Sequence, residues 1–315
     1  MKKVLVSGSL AYDRIMNFPD RFSNHILPEK IHVLSLSFIV DDIQEHFGGT
    51  AGNISYNLSL LGISPVVVAS AGSDFGRYKE WMQSHGIGAS CLNIISGAPT
   101  ASAHIFTDQS DNQITGFHMG AMRNSAYHLA EGKISEADLV CVSPGNLEDM
   151  KMMSEFSKKA GVRYIYDPGQ CIPAISGDDL KSAIMGAKML IANDYEMSVI
   201  IEKTGMREKE ILEHVEILVV TLGDRGSRVE TREGRREIPA ARPISVSDPT
   251  GAGDAYRSGF IAGLLRGFPP DTCAKLGALV SVYTVEKKGT QTHSFTIPQL
   301  EERYYENFKE KLSYN

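Results

Sequence analysis

Short, wholly apolar runs recur along this 315-residue chain, with segments of helical spacing between them. VLVSGS, PVVVASAG, ADLVCVS, VRYIYD, KMLIAN and VEILVVTLG are apolar at consecutive positions, where a strand with one wet face would alternate. Strands built this way must be covered on both faces. AGNISYNLSLLG, GRYKEWMQSHG and stretches near 147–160 and 179–186 supply helices between the runs. The chain is therefore predicted to form a doubly wound α/β fold, a mostly parallel sheet flanked by helices. Gly and Pro are scattered, and no low-complexity linker or internal repeat is present, which favours one body over 1–315.

Two regions break the rhythm. IHVLSLSFIVDDIQEHFGG (31–49) and ASAHIFTDQSDNQITGFHMG (101–120) each read as strands in succession, the second with TDQSDNQ as its turn. They are expected to form a small β-sheet, inserted from about 14–47 and 98–120. Open α/β sheets bind ligands beyond the carboxyl ends of their strands, so this sheet is expected to cover that crevice as a lid. The alternative is an extended edge of the main sheet.

Composition narrows the function classes. A net charge of −6 gives no electrostatic reason to expect nucleic acid. Four cysteines, at 91, 141, 171 and 273, have neither a C-x-x-C pair nor regular spacing, which argues against a zinc site and a disulfide framework and favours a reducing cytoplasm. MKK followed by VLV imitates the start of a signal peptide, but the run breaks at Ser7-Gly8-Ser9 and is read as the first strand. No apolar run approaches the roughly 20 residues that span a bilayer. Small molecules or copies of the chain itself are the expected partners.

The most specific string is DPTGAGDAYRSGF, residues 248–260. Gly251, Ala252 and Gly253 carry little or no side chain and open a segment with Phe260, Ile261, Leu264 and Leu265 at helical spacing. Unpaired N–H groups and the positive end of a helix dipole then converge where an anion can sit. Asp254 falls in the first turn, either as a helix-start residue or as a base beside a reacting phosphoryl group. Four other places are read in the same two ways. Asp13, just past the first strand, is a turn residue or a ligand contact. FGGTAGN offers Gly48, Gly49 and Asn53 as a glycine-rich turn or as a close backbone approach with an amide. NDYE places Asn193 and Glu196 one helical turn apart, as a cap or as a site. VVTLGDRGS puts Thr221, Gly223 and Gly226 in a turn that either admits a nucleotide or closes a hairpin.

In this order along one chain, GGTAGN, NDYE, VTLGDRGS and DPTGAGD resemble the ribokinase-like, or PfkB, family of carbohydrate and nucleoside kinases over essentially the whole length. IFTDQSDNQITGF, YDPGQ and EKKGTQT look most like its microbial adenosine and nucleoside kinases. The resemblance implies Asp254 as catalytic base, with the amides of Gly251, Ala252 and Gly253 as anion hole. Asp13, Gly48, Gly49 and Asn53 would hold sugar hydroxyls. Thr221, Gly223 and Gly226 would form the nucleotide turn, with Asn193 and Glu196 organising Mg2+ and phosphate. Asp248, with the region of Gly289, lies where many members bind a monovalent cation such as K+. One departure is plain: GALVSVYTVEKK has no Asn where many sugar kinases of the family place one beside the adenine of ATP.

The expected reaction is transfer of the γ-phosphoryl group of ATP to the 5'-hydroxyl of a nucleoside, adenosine first. Asp254 is expected to have an ordinary pKa near 4 and to work by position. Asp13 would grip a vicinal diol. Phe106 and Phe117 would stack on the base or simply seal the lid, and Gln170 or Asn112 would read its edge. A kinase acting on ribose, fructose or another furanose is the first alternative, and a non-catalytic nucleoside-binding protein the second. No G-x-G-x-x-G follows the first strand and no Walker G-K-[ST] loop is present, which excludes a dinucleotide-dependent oxidoreductase and a P-loop kinase. Exposed lid edges offer a route to a homodimer.

Overall fold

The computed structural model describes residues 2–26, 32–33, 35–110 and 112–314. Its strands are β1 (Lys3–Ser7), β2 (Ala11–Asn17), β3 (Asp42–Gly48), β4 (Ser64–Gly72), β5 (Gly88–Ile95), β6 (Ala101–Thr107), β7 (Gln113–His118), β8 (Leu139–Val142), β9 (Tyr164–Tyr166), β10 (Met189–Asn193), β11 (Ile217–Thr221), β12 (Ser227–Thr231) and β13 (Gly234–Ile238). The helices are α1 (Thr50–Leu60), α2 (Gly76–Ser84), α3 (Leu147–Ala160), α4 (Gly177–Ile184), α5 (Asp194–Thr204), α6 (Glu208–Ile211), α7 (Ala252–Leu265), α8 (Pro270–Val285) and α9 (Ile297–Phe308).

Nine strands form the main sheet, in the order β13-β12-β11-β10-β9-β8-β1-β4-β5. Pairing is parallel from β11 to β5, and β12 and β13 close one edge as an antiparallel hairpin. Alternate residues of the central strands feed two cores. Val4 and Val6 pack with Ile54 of α1, Phe260 of α7 and Leu279 of α8, whereas Leu5 packs with Met153 of α3, Leu180 of α4 and Ile200 of α5. Burial on both faces is why these strands read as unbroken apolar runs.

Helices α7 and α8 touch backbone to backbone. A Cβ on Gly259 would lie 2.7 Å from the Cα of Gly277, one on Gly277 2.7 Å from Tyr256 O, and one on Gly263 2.8 Å from Cys273 Sγ. Two further bonds fix α7, one at its first residue and one at its middle. Ser281 Oγ of α8 donates to Ala252 O at 2.8 Å, and Ser258 Oγ donates to Ile54 O of α1 at 3.1 Å.

The second sheet is separate from the first, in the order β3-β2-β6-β7. β2–β3 and β6–β7 pair antiparallel and β2–β6 parallel. The sheet forms as expected, but its strands start earlier and are shorter than expected. β2 begins at Ala11, only three residues beyond β1, and in the 31–49 segment strand structure starts at Asp42. Residues 27–31 and 34 of the first insertion, and Asp111 in the second turn, lie outside the described residues. Residues 35–41 leave the ladder because Phe38 packs into an aromatic cluster, with ring centroids 4.7 Å from Phe18, 5.4 Å from Phe22 and 6.0 Å from Phe106. β7 forms one edge of this sheet and is exposed along its length.

Gly259→Ala is expected to destabilise the protein by about 2 kcal/mol, because overpacking this contact outweighs the roughly 1 kcal/mol that alanine gains in an open helix. Urea denaturation checks the sign, and a gain in stability would show that α7 and α8 are not in contact at this point.

Candidate active site

The start of α7 is open, with backbone donors left unpaired. Gly251 is its N-cap with φ +77, a left-handed conformation, and a Cβ there would come within 2.9 Å of Thr290 Cγ2. No side chain caps this end. Among the described residues the N–H groups of Gly251 and Gly253 have no acceptor, and that of Ala252 reaches only Pro249 O at 3.3 Å. Free N–H groups at the positive end of the helix dipole favour negative charge.

Asp254 stands in this first turn. Its Oδ2 accepts from Asn53 Nδ2 at 2.9 Å. Asn53 Oδ1 in turn accepts from Gln291 Nε2 at 3.1 Å, and the same nitrogen donates to the Tyr78 hydroxyl at 2.6 Å. Tyr78 donates to Gly48 O at 2.8 Å, and Gln291 Oε1 accepts from Trp81 Nε1 at 3.1 Å. The network orients the Asn53 amide so that its nitrogen, not its oxygen, meets the carboxylate. Burial raises the Asp254 pKa, against the pull of Arg257 and the Asn53 hydrogen bond. The expectation of an ordinary pKa near 4 is thus corrected: the carboxylate is a stronger base than an exposed aspartate.

Asp13 lies within β2 of the lid and not in a turn after β1. Burial, then the charges of Asp254 and Asp248, push its pKa up to about 7. Gly48 faces it across the strand pair, where a Cβ would lie 2.1 Å from Asp13 Oδ2. Gly49 has φ +87, and a Cβ there would meet Ser9 O at 2.6 Å, so the chain can enter α1 only with glycine.

The other motifs gather at the carboxyl ends of the strands. Asn193 and Glu196 form a reciprocal capping box at the start of α5: Asn193 Oδ1 accepts from Glu196 N at 2.7 Å and Glu196 Oε2 accepts from Asn193 N at 2.8 Å. Thr221, at the end of β11, is the register partner of Asn193. Gly223 and Gly226 have φ +62 and +90 in the turn that follows, and a Cβ on Gly226 would strike Ile238 O at 2.1 Å. An ion pair from Arg225 to Asp194, 2.9 Å, ties this turn to α5. Asp248 joins two segments, its Oδ1 accepting from Thr250 N at 2.9 Å and its Oδ2 from Gly289 N at 3.2 Å.

The lid separates the expected base-binding residues. Pairing places Asp13, Ala103 and Phe117 in register on one face, and places Phe106 with Met16 and Ile114 on the other, beside Phe38. Phe117, half exposed, is therefore on the face of Asp13; Phe106 is not. Asn112 Nδ2 donates to both carboxylate oxygens of Asp108 and closes the turn, so the nitrogen of the amide expected to read a base is engaged within the lid. Gln170 is exposed.

Three engaged residues escaped sequence reasoning. Gln291 sits in the quoted tail EKKGTQT without any local sign of its contact with Asn53. Asp167 lies in the quoted YDPGQ and Arg257 in DAYRSG. They form a buried pair, with Arg257 Nη2 donating to Asp167 Oδ1 at 2.8 Å and Arg257 Nε against Asp167 Oδ2. Burial pushes the Asp167 carboxyl up and Arg257 pulls it down. Burial also opposes charge on Arg257, but Asp167 and then Asp254 more than offset it. With two contacts between the groups, we assign the ionised pair.

Among the described residues no group of three or more His, Cys, Asp or Glu side chains is placed to hold a metal ion. Magnesium in phosphoryl-transfer sites is held by one or two carboxylates, waters and the substrate's phosphates, so a single carboxylate such as Glu196 fits that mode. A surface groove of about 860 Å³ between residues 239–244 and α9 contains none of the residues above.

A glycine-opened helix start beside a buried carboxylate, faced by a lid, belongs to a phosphotransferase whose acceptor is an alcohol. The chain is a member of the pfkB family of carbohydrate kinases, whose profile matches residues 1–297. It is 30% identical over 307 residues to a nucleoside kinase of Methanocaldococcus jannaschii, covering 96% of this chain and 97% of that protein. The structure of Burkholderia thailandensis nucleoside kinase in complex with inosine superposes with a TM-score of 0.89 at 36% identity, covering 98% of this chain and 99% of that one. Its complex with ADP and inosine gives 0.87 at 36% identity, covering 98% and 97%.

Because folding lifts the pKa of Asp13, its ionised form costs stability. That cost is absent below about pH 4 and is complete once the pH has risen through about 7. Asp13→Asn should therefore stabilise the fold at pH 8 by on the order of 2 kcal/mol, with the gain shrinking as pH falls from 7 toward 4. Chemical denaturation at several pH values measures it, and a gain independent of pH would refute the assignment.

Proposed function

We propose that the protein transfers the γ-phosphoryl group of ATP to the 5'-hydroxyl of a nucleoside, with a purine ribonucleoside, adenosine or inosine, as the preferred acceptor. The observation that carries this reading is the juxtaposition of two buried carboxylates of different duty. Asp254 stands at the open helix start and Asp13 on the lid, close enough for the charge of Asp254 to raise the pKa of Asp13. Nucleoside kinases among the relatives, and the inosine and ADP bound by one of them, support it.

In this scheme the acceptor hydroxyl lies between Asp254 and the amides of Gly251, Ala252 and Gly253. Asp254 takes the hydroxyl proton as the oxygen attacks phosphorus, and the amides meet charge on the phosphoryl oxygens. Asn53 keeps the Asp254 carboxylate turned to the hydroxyl. Asp13, acceptor-only when ionised, takes hydrogen bonds from the ribose diol. Phe117 is the lid aromatic for the base, with Gln170 at its edge, while Phe106 serves the lid's own packing. The turn of Thr221, Gly223 and Gly226, with Asn193, receives the nucleotide. When bound, Mg2+ supplies neutralising charge to the phosphates, with Glu196 as its carboxylate directly or through water. Asp248 and the Gly289 backbone form the place for K+. The reading also takes 1–315 as one α/β domain with its lid, a homodimer paired through lid edges, and a cytoplasmic setting that accords with four free cysteines.

ADP release with Mg-ATP across adenosine, inosine, guanosine, cytidine, ribose, fructose and fructose 6-phosphate tests the acceptor. Turnover confined to sugars would keep the mechanism and overturn the nucleoside reading. Asp254→Asn is expected to lower kcat by about 10²- to 10⁴-fold with little change in nucleotide affinity, and near-normal kcat would remove Asp254 as the base. Loss of the 2'-hydroxyl should cost about tenfold or more in kcat/KM, so equal values for adenosine and 2'-deoxyadenosine would refute the role of Asp13.

A further inference from the structure

The Asp167–Arg257 pair is buried beside the phosphoryl site, and the scheme above does not use it. Side-chain exposure is 1% for Asp167 and 12% for Arg257. As a stabilising device such a pair is poor, since the desolvation of two charges can exceed their attraction. Its geometry has a direction, however. Nε and Nη2 of Arg257 face Asp167, so one edge of the guanidinium is taken and Nη1 is the corner that points away. Nη1 makes no hydrogen bond among the described residues. It lies 2.5 Å from where a Cβ on Gly253 would stand, so the guanidinium fills the space that the glycine leaves open in the anion-binding turn. Arg257 is also three residues after Asp254 on α7, and side chains at that spacing share a helix face.

Charge gives the corner a purpose. A phosphoryl group arriving here comes among Asp254, Asp13, Asp248 and Glu196, and the turn's amides supply only partial positive charge. Arg257 is a full cation in the field of Asp254 and Glu196, held ionised by Asp167 and Asp254. A planar fork with one edge fixed presents its remaining donor with little loss of side-chain freedom.

We propose that Arg257 is a catalytic residue whose Nη1 donates to an oxygen of the phosphoryl group in transit, and that Asp167 is the positioning residue that aims it. The acceptor oxygen bonds to phosphorus as the bond from phosphorus to the ADP oxygen breaks, the hydroxyl proton passes to Asp254, and Arg257 keeps its protons throughout. The inference rests on the kinase reading of the site but not on which alcohol is the acceptor.

The test uses full-length protein and whichever acceptor the wild-type chain turns over best. Arg257→Lys keeps a cation for Asp167 but cannot serve Asp167 and the phosphoryl group together. It is expected to lower kcat by about 10²-fold or more, while the acceptor KM and the Kd for ADP change by less than about threefold. Arg257→Met combined with Asp167→Leu removes the buried pair without leaving a lone charge and is expected to be folded and equally slow. Asp167→Asn, which leaves the guanidinium in place, should lose less than either. Near-wild-type kcat in Arg257→Lys or in the double variant would show that the pair only holds the fold and would overturn the proposal. Asp254→Asn in the same assay separates the two readings: an active Asp254→Asn discards the base, whereas an inactive Asp254→Asn beside a fully active Arg257→Lys discards only the role of Arg257.

Discussion

Asn53 and Asp254 are 201 residues apart in the chain and 2.9 Å apart in the site, and the cleft depends on that hydrogen bond. It joins the first glycine-rich turn, which opens α1, to the second, which opens α7. Each helix start is fixed from elsewhere. Thr50 Oγ1 at the head of α1 donates to Pro144 O at 2.6 Å, and α7 is pressed against α8 through contacts that tolerate no side chain. Two rigid helix ends therefore deliver one amide and one carboxylate to the same point, with Gln291 deciding which end of the amide faces the acid.

The electrostatics follow from that convergence. Burial raises the pKa of Asp254 and of Asp13, so both resist ionisation more than exposed carboxylates do. Such groups cost stability at neutral pH, which natural folds accept at reactive sites. The stabilising side is supplied locally, by the uncapped amides of α7, by Asn53 and by Arg257. Remote surface ion pairs contribute little to it.

The doubly wound body was legible because both faces of its strands are buried, so β8 to β11 carry no alternation that could be mistaken for an open sheet. The glycines at 49, 226 and 251 were legible because each has a positive φ or a neighbour too close for a side chain. Contacts made at a distance were not. Gln291, Asp167 and Arg257 each lie inside a string that attracted notice, yet nothing local marks a residue whose partner is some 90 to 240 positions away. Phe106 and Phe117 looked alike in sequence. Only the pairing of β2, β6 and β7 assigns them to opposite faces. The aromatic cluster that draws Phe38 out of the ladder was equally hidden, since a run such as LSLSFIV has the composition of a strand.

The lid's faces are assigned by parity. Along β2 the odd positions carry Asp13 toward the cleft, along β6 the odd positions match them, and the even positions hold Phe106 and Met16 outside. A strand side chain changes face with every residue, so inserting or deleting one residue within either strand would exchange the two surfaces wholesale and turn Asp13 outward. Gly48, under the Asp13 carboxylate, locks the same count on β3. Changes in chain length can therefore be absorbed only between the strands, in segments such as 18–41 and 108–112. Diversification of the lid by insertion is channelled into those connections, while the ladder that presents Asp13 keeps a fixed count.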